Sequence, residues 1–282
     1  PGATPPGAPA GTPGAAAAVK PLPDRKDVVS WKLLAQVELV KSKDRFTALQ
    51  SGEVDVLLRG CGFGVTTVAV TSNTYKPISS GHESITLYWY EGGRKQHKLT
   101  GARGNVSLKL QAGGLALFSF EFVGHYTKPS DVSIPTPTYS NVVPKAALNM
   151  AVSLGGVTSM IVREWTIDMN NLIAMPPSVA GSDGYGEVQL TARDVAGSLV
   201  MDAELASVID IDSQMEAGTG ITFLSGTLGS VAGNRFAVTG ATNGLYWRDR
   251  SFGEADGMRI RTLPFGIVES SSGNDEVALA FT

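Results

Sequence analysis

The side chains that most often carry chemistry are sparse in this chain and stand in no known catalytic or metal-binding pattern. Its histidines are His82, His97 and His125, and no two of them are four residues apart. His82-Glu83 begins like the helix of a zinc protease, but Thr86 stands where that motif needs a second histidine. We therefore expect no enzymatic activity, no metal ion and no cofactor.

Two further motifs look chemical and are better explained by local structure. Asp210 and Asp212 have the spacing that begins a calcium loop, but Ile221 occupies the position that requires a bidentate carboxylate. The glycines at 60, 62 and 64 follow a helical pattern, whereas a nucleotide-binding glycine run lies between a strand and a helix. These residues predict the acidic start of one helix and the glycine end of another.

The elements that would position any site are mostly short β-strands, and their order recurs in the two halves of the chain. Each half contains an alternating strand, a short helix that ends in glycine, and a long hairpin. The helices are predicted at residues 54–61 and 210–217, and the hairpins at residues 105–123 and 258–281. This pattern predicts a mainly β fold whose exposed hairpin edges need further strands to cover them.

Charge is divided unevenly along the chain, although the net charge is only -3. Residues 1–147 carry 16 Lys and Arg against 10 Asp and Glu, and residues 148–282 carry 7 against 16. The difference favours either head-to-tail contact between copies or two separately solvated surfaces. Tight DNA binding is not expected from such a chain. Cys61 is the single cysteine, so no intrachain disulfide can form, and no apolar stretch predicts a membrane span.

The first residues differ in composition from all that follows. Residues 1–23 are mostly Pro, Gly, Ala and Thr, which bury too little apolar area to offset the entropy of ordering. We expect a flexible arm that a neighbouring copy holds. The residues assigned to this inter-subunit arm are Pro1, Pro13, Lys20 and Pro23.

A second proline-rich stretch suggests a domain boundary. Residues 129–147 contain four prolines, and each proline fixes φ and removes a backbone donor. We therefore predict a connector at residues 129–147 between a first β domain at residues 24–128 and a second at residues 148–282.

Eight short segments have an order along the chain that is typical of one protein family. They are VLLRGCGF at 56–63, YKP at 75–77, LYWY at 87–90, GARGN at 101–105, FEFVG at 120–124, GSDGYG at 181–186, LTAR at 190–193 and SSSGNDE at 270–276.

In this order the chain resembles the tail tube (major tail) proteins of long-tailed bacteriophages, especially those of Mu-like siphophages, over residues 28–282. The resemblance implies β-sandwich or β-barrel units with flanking helices, whose hairpins join an inter-subunit β-barrel around a channel. It also implies stacked rings, genomic DNA and a tape measure protein in the lumen, and a place in the virion after synthesis in the host cytoplasm. Two units per chain favour a trimeric ring with pseudo-sixfold symmetry, with a hexamer as the alternative.

A channel that passes DNA must not grip phosphate, because each Lys or Arg contact adds affinity that does not depend on sequence. We therefore expect an acidic or neutral lumen lined by the two hairpins, with a partial contribution from residues 30–41 and 186–205. The residues predicted to line it are Ser107, Lys109, Gln111, Ser119, Glu121, Arg259, Arg261 and Glu276.

The alternative function is a carbohydrate-binding or adhesive β-sandwich module. It would use Trp89, Tyr90, Tyr246 or Trp247 as an exposed aromatic platform and would be stable as a monomer.

Overall fold

Two antiparallel sheets, packed face to face, form most of the fold in a computed structural model that describes residues 29–36, 53–91, 95–133, 146–229 and 235–282. The arm predicted at residues 1–23 lies outside the described residues. So does the larger part of the connector predicted at residues 129–147.

The first half of the chain contributes one helix and six strands. They are β1 (Val29–Gln36), α1 (Glu53–Gly60), β2 (Phe63–Val68), β3 (Ser72–Pro77), β4 (Ile85–Glu91), β5 (Lys95–Gln111) and β6 (Leu117–Asp131).

The second half contributes one helix and eleven strands. They are β7 (Ser153–Leu154), β8 (Val162–Asp168), β9 (Leu172–Ala174), β10 (Gln189–Ala192), β11 (Ala196–Asp202), α2 (Ile211–Ala217), β12 (Phe223–Leu224), β13 (Phe236–Gly240), β14 (Leu245–Trp247), β15 (Ser251–Ala255), β16 (Met258–Ile267) and β17 (Val277–Phe281).

The larger sheet has nine strands in the order β1-β6-β5-β8-β11-β16-β14, with β4 beside β5 and β15 beside β16. The smaller sheet has six strands in the order β2-β3-β17-β13-β12-β7, and β9 pairs with β10 separately. The predicted fold class, mainly β with a sandwich and flanking short helices, is confirmed. Both sheets contain strands from either side of residues 129–147, and the division into two domains stays a prediction.

Aromatic side chains fill the space between the two sheets. Phe118 of β6 contacts Phe236 of β13 with ring centroids 5.8 Å apart, and Trp165 of β8 contacts Phe223 of β12 at 5.4 Å. Such edge-to-face pairs add to the stabilisation that burial provides. The alternation seen in the sequence therefore places one residue of every two in a shared core.

Both helices form where the sequence predicts them. α1 buries Leu57 and Leu58 and ends before Gly62, which has a positive φ of 82°. α2 begins after Asp210, whose Oδ1 accepts a hydrogen bond from the Ser213 N–H at 3.0 Å, and Gly218 ends it in the left-handed conformation. Carboxylate caps and αL glycines satisfy backbone groups that a helix end leaves unpaired.

One of the two predicted hairpins forms and the other does not. β5 and β6 pair along their length, so the hairpin at residues 105–123 is confirmed. The hairpin predicted at residues 258–281 is wrong, because β16 pairs with β11, β14 and β15 in the larger sheet while β17 lies between β3 and β13 in the smaller one. The turn after β16 crosses from one sheet to the other.

Candidate functional site

The nine-stranded sheet has one face packed against the smaller sheet and an opposite face rich in hydroxyl, amide and carboxylate groups, here called the polar face. Cross-strand register sets it: Ser107 is paired with Ser119 and Asp168, and Thr166 with Ser198. The polar residues that take register positions on this face include Lys32, Arg103, Asn105, Ser107, Lys109, Gln111, Ser119, Glu121, Glu164, Thr166, Asp168, Ser198 and Thr262.

Side chains of the polar face bond to one another across the strands. Lys109 Nζ lies 2.8 Å from Glu164 Oε1, and Asn105 Nδ2 donates to Asp168 Oδ1 at 2.7 Å. Counted by register, this face carries three basic residues, Lys32, Arg103 and Lys109, against three carboxylates, those of Glu121, Glu164 and Asp168, so these charges balance. The face is therefore hydrated and close to neutral, and it offers little net attraction to phosphate.

The structure brings five of the eight predicted lumen residues together on the polar face: Ser107, Lys109, Gln111, Ser119 and Glu121. Strand β11 adds Ser198, which lies in the predicted segment 186–205, and strand β8 adds Glu164, Thr166 and Asp168, which the sequence analysis did not select. The sequence does contain a signal for the β8 residues, because the apolar Trp165 and Ile167 alternate with Glu164, Thr166 and Asp168.

The other three predicted lumen residues lie elsewhere. Arg261 is paired with the buried Met201 and stacks over the Phe252 ring at 5.6 Å, so it is on the opposite side of the sheet. Arg259 is exposed at the start of β16. Glu276 is 6% exposed and accepts a hydrogen bond from Arg193 Nε at 2.6 Å, in the loop before β17.

A loop covers one end of the polar face. His125 of β6 is bonded through Nδ1 to Asp183 Oδ2 at 2.7 Å, and Arg103 Nη2 donates to Glu187 Oε1 at 2.7 Å. Burial raises the pKa of Asp183, but the hydrogen bonds from His125 and the Tyr185 N–H outweigh burial and hold that pKa below its ordinary value. On the rest of the polar face, from β6 to β11, the polar side chains are half-buried or exposed.

The edge strands of the large sheet have one strand partner each among the described residues: β6 for β1, and β16 for both β14 and β15. Leu245 of β14 also exchanges two backbone hydrogen bonds with Ile221 in an isolated bridge. An unpaired edge presents a row of N–H and C=O groups that readily take up a strand from another copy. Within the described residues, the sheet is therefore open along β1 on one side and along β15 on the other.

The aromatic residues proposed for a binding platform do not form one surface. Trp247 is 8% exposed and donates through Nε1 to Gln214 Oε1, whereas Trp89 is 62% exposed on β4. Sheet order separates β4 from β14 by several strands. Of the four, Trp89 is the large side chain that is most open to solvent.

The described residues contain no group of three or more His, Cys, Asp or Glu side chains placed to hold a metal ion. In the same part of the chain, no helix has the length and hydropathy needed to cross a bilayer. Burial raises the pKa of the Cys61 thiol well above its ordinary value, which keeps it protonated and unreactive.

Comparison with known proteins gives one family. A family model described as "Phage tail tube protein" matches residues 3–267, which is most of the chain. No curated protein matches the sequence.

Proposed function

Because the chain belongs to the phage tail tube protein family, we propose that its copies close into rings, that the rings stack into a tube in the virion tail, and that the polar face lines a bore that conducts DNA. The family is one of structural proteins that assemble into a tube, which supports a role outside catalysis. The observation that carries the proposal is the large open sheet with one apolar, buried face and one polar face whose charges balance.

The unpaired edges support closure into a ring. When β1 of one copy lies beside the β15 edge of the next, the backbone groups that are still unpaired on both strands gain partners, and a closed barrel has no edges left. Every strand of the large sheet then serves both its own subunit and the shared wall. Solvated polar side chains would face the bore, while the smaller sheet would form the outer layer.

Sheet width favours three copies in each ring. The sheet is seven strands wide, and strands about 4.8 Å apart with a tilt of about 40° give a wall of about 44 Å for each copy. Three such walls close a backbone barrel about 40 Å across, and six close one about 80 Å across. The diameter of the smaller barrel is just sufficient for a DNA duplex surrounded by a layer of side chains. We therefore favour a trimer with pseudo-sixfold symmetry over a hexamer.

Electron microscopy of the concentrated protein tests the assembly directly. We expect hollow tubes of constant diameter, and fewer of them as salt rises, because the two halves of the chain carry opposite charge. Monodisperse single particles at every concentration would reject the tube and favour the carbohydrate-binding or adhesive alternative.

Thiol labelling tests which face lines the bore. In intact tubes, Ser119→Cys should react slowly with a bulky maleimide polymer and rapidly after disassembly. Thr66→Cys is the matched control, since Thr66 is an exposed residue of β2 in the smaller sheet and should react rapidly in both states. Wild-type protein sets the background from buried Cys61. Equal rates for Ser119→Cys in tubes and subunits would show that the polar face is not the bore.

A further inference from the structure

At one end of the large sheet, three strands form an exposed aromatic projection, here called the aromatic arm: β4, the start of β5 and the end of β6. Trp89 is 62% exposed, Tyr88 51% and Tyr126 52%. Tyr88 and Trp89 are neighbours on an extended strand, so they point to opposite faces, and no described residue covers either of them well. An exposed aromatic patch of this kind is typical of a surface that contacts another protein.

At the other end of the sheet, the turn after β5 and the start of β8 enclose a groove of about 260 Å³, here called the apolar groove. Its base is formed by the buried Leu110, Val152 and Trp165, and Leu148, 61% exposed, stands in its lining at the surface. The polar residues of the lining are Gln111, Asn149, Arg163 and Glu164. A concave apolar site of this kind suits a single aromatic side chain from outside.

The aromatic arm and the apolar groove of one subunit are too far apart to contact each other. Lys95 begins β5 opposite Asp131 at the arm, and Gln111 ends it opposite Glu164 at the groove. A strand of 17 residues separates them by about 50 Å. A contact between opposite ends of one sheet is head to tail, and it repeats along the strand direction when it does not close on itself.

Charge on the two ends is also complementary. The described part of the aromatic arm carries Lys95, Lys98 and Lys128 against Glu91 and Asp131, a net charge of +1, and Lys98 Nζ is 5.7 Å from the centre of the Tyr88 ring. Near the groove, Arg163 holds Asp202 and Asp256, and the exposed turn that follows β11 adds Glu204. Rim charges of opposite sign favour the correct docking orientation.

From these features we propose that the aromatic arm of one copy docks into the apolar groove of a copy in the next ring, with Trp89 as the central side chain. This inference rests on the proposed tube, and it assigns the axial contact, whereas the ring contact is made by the sheet edges. A Trp in an apolar groove is the kind of anchor that carries most of the free energy of an interface.

Two single substitutions should separate stacking from ring closure. Trp89→Ala and Leu148→Asp should each leave the fold and the rings intact and weaken stacking by about tenfold or more, giving single rings or short stacks under the microscope. The controls change equally exposed residues away from both ends: Val70→Ala at 63% and Leu172→Asp at 61% exposure. Circular dichroism checks folding of all four variants.

A cross-link gives an independent result. The double variant Trp89→Cys with Leu148→Cys should form disulfide-linked ladders of chains on oxidation of tubes, while each single variant should not. Long tubes from both Trp89→Ala and Leu148→Asp, or tubes that give no ladder, would overturn the arm-in-groove contact and leave the tube itself standing. Absence of rings and tubes from the wild-type protein would instead reject the proposed function.

Discussion

The two faces of strand β6 show how one strand serves two purposes. Phe118, Phe120 and Phe122 are fully buried against the smaller sheet, and Ser119 and Glu121 lie between them on the polar face. The buried face holds the fold by apolar burial and aromatic packing. The polar face contributes little to stability, so its composition is free to meet the needs of a surface. Adjacent positions should therefore respond very differently to substitution.

The largest difference between the faces should be in stability. Phe120→Ala should lower the free energy of unfolding by about 3–5 kcal/mol, since it removes a buried ring and leaves a cavity. The neighbouring Ser119→Ala should change it by no more than about 0.5 kcal/mol. Urea unfolding followed by tryptophan fluorescence measures both. Similar values for the two variants would show that the faces are not distinct.

Charge reversal on the polar face should affect transport and not folding. Glu121→Lys combined with Glu164→Lys raises the net charge of the polar face by 4. We expect tubes to form and DNA release from virions carrying them to slow several-fold, about in proportion to the added phosphate contacts. A rise in salt that leaves the tubes intact should restore the rate, because it screens the added lysines.

The matched control for charge reversal is Glu216→Lys with Asp249→Lys, two exposed residues on α2 and after β14. This control adds the same charge away from the polar face and should release DNA at the wild-type rate. If both double variants slow release equally, total charge and not the polar face is responsible.

The smallest effect should come from the loop at the covered end of the polar face. The pKa of Asp183 is held below its ordinary value of 3.8 in the folded protein, so its stabilising contribution is complete above that value. It is lost as pH falls through the lower, folded pKa. Asp183→Asn should therefore reduce the acid sensitivity of the melting temperature between about pH 5 and pH 2. Identical pH profiles for variant and wild type would mean that the Asp183–His125 bond does not hold the loop.

The sequence predicted the polar face only in part, and the reason lies in what alternation can reveal. Alternation in β5 and β6 separated Ser107 and Ser119 from Leu108 and Phe118, and the structure confirms that separation. It could not reveal that β8 lies beside β5, which places Glu164 and Asp168 on the same face. Pairing between strands so distant in sequence leaves no trace in local patterns.

Local signals were sufficient for the elements themselves. The Gly62 and Gly218 helix ends, the Asp210 cap and the β5–β6 hairpin each depend on residues within a few positions of one another, where sterics and hydrogen bonding act directly. Only the tertiary structure decided that β17 pairs with β3, through Leu279 and Tyr75, instead of with β16. The entropy of closing so long a loop grows slowly with its length, so burial of the shared aromatic core can select the distant partner.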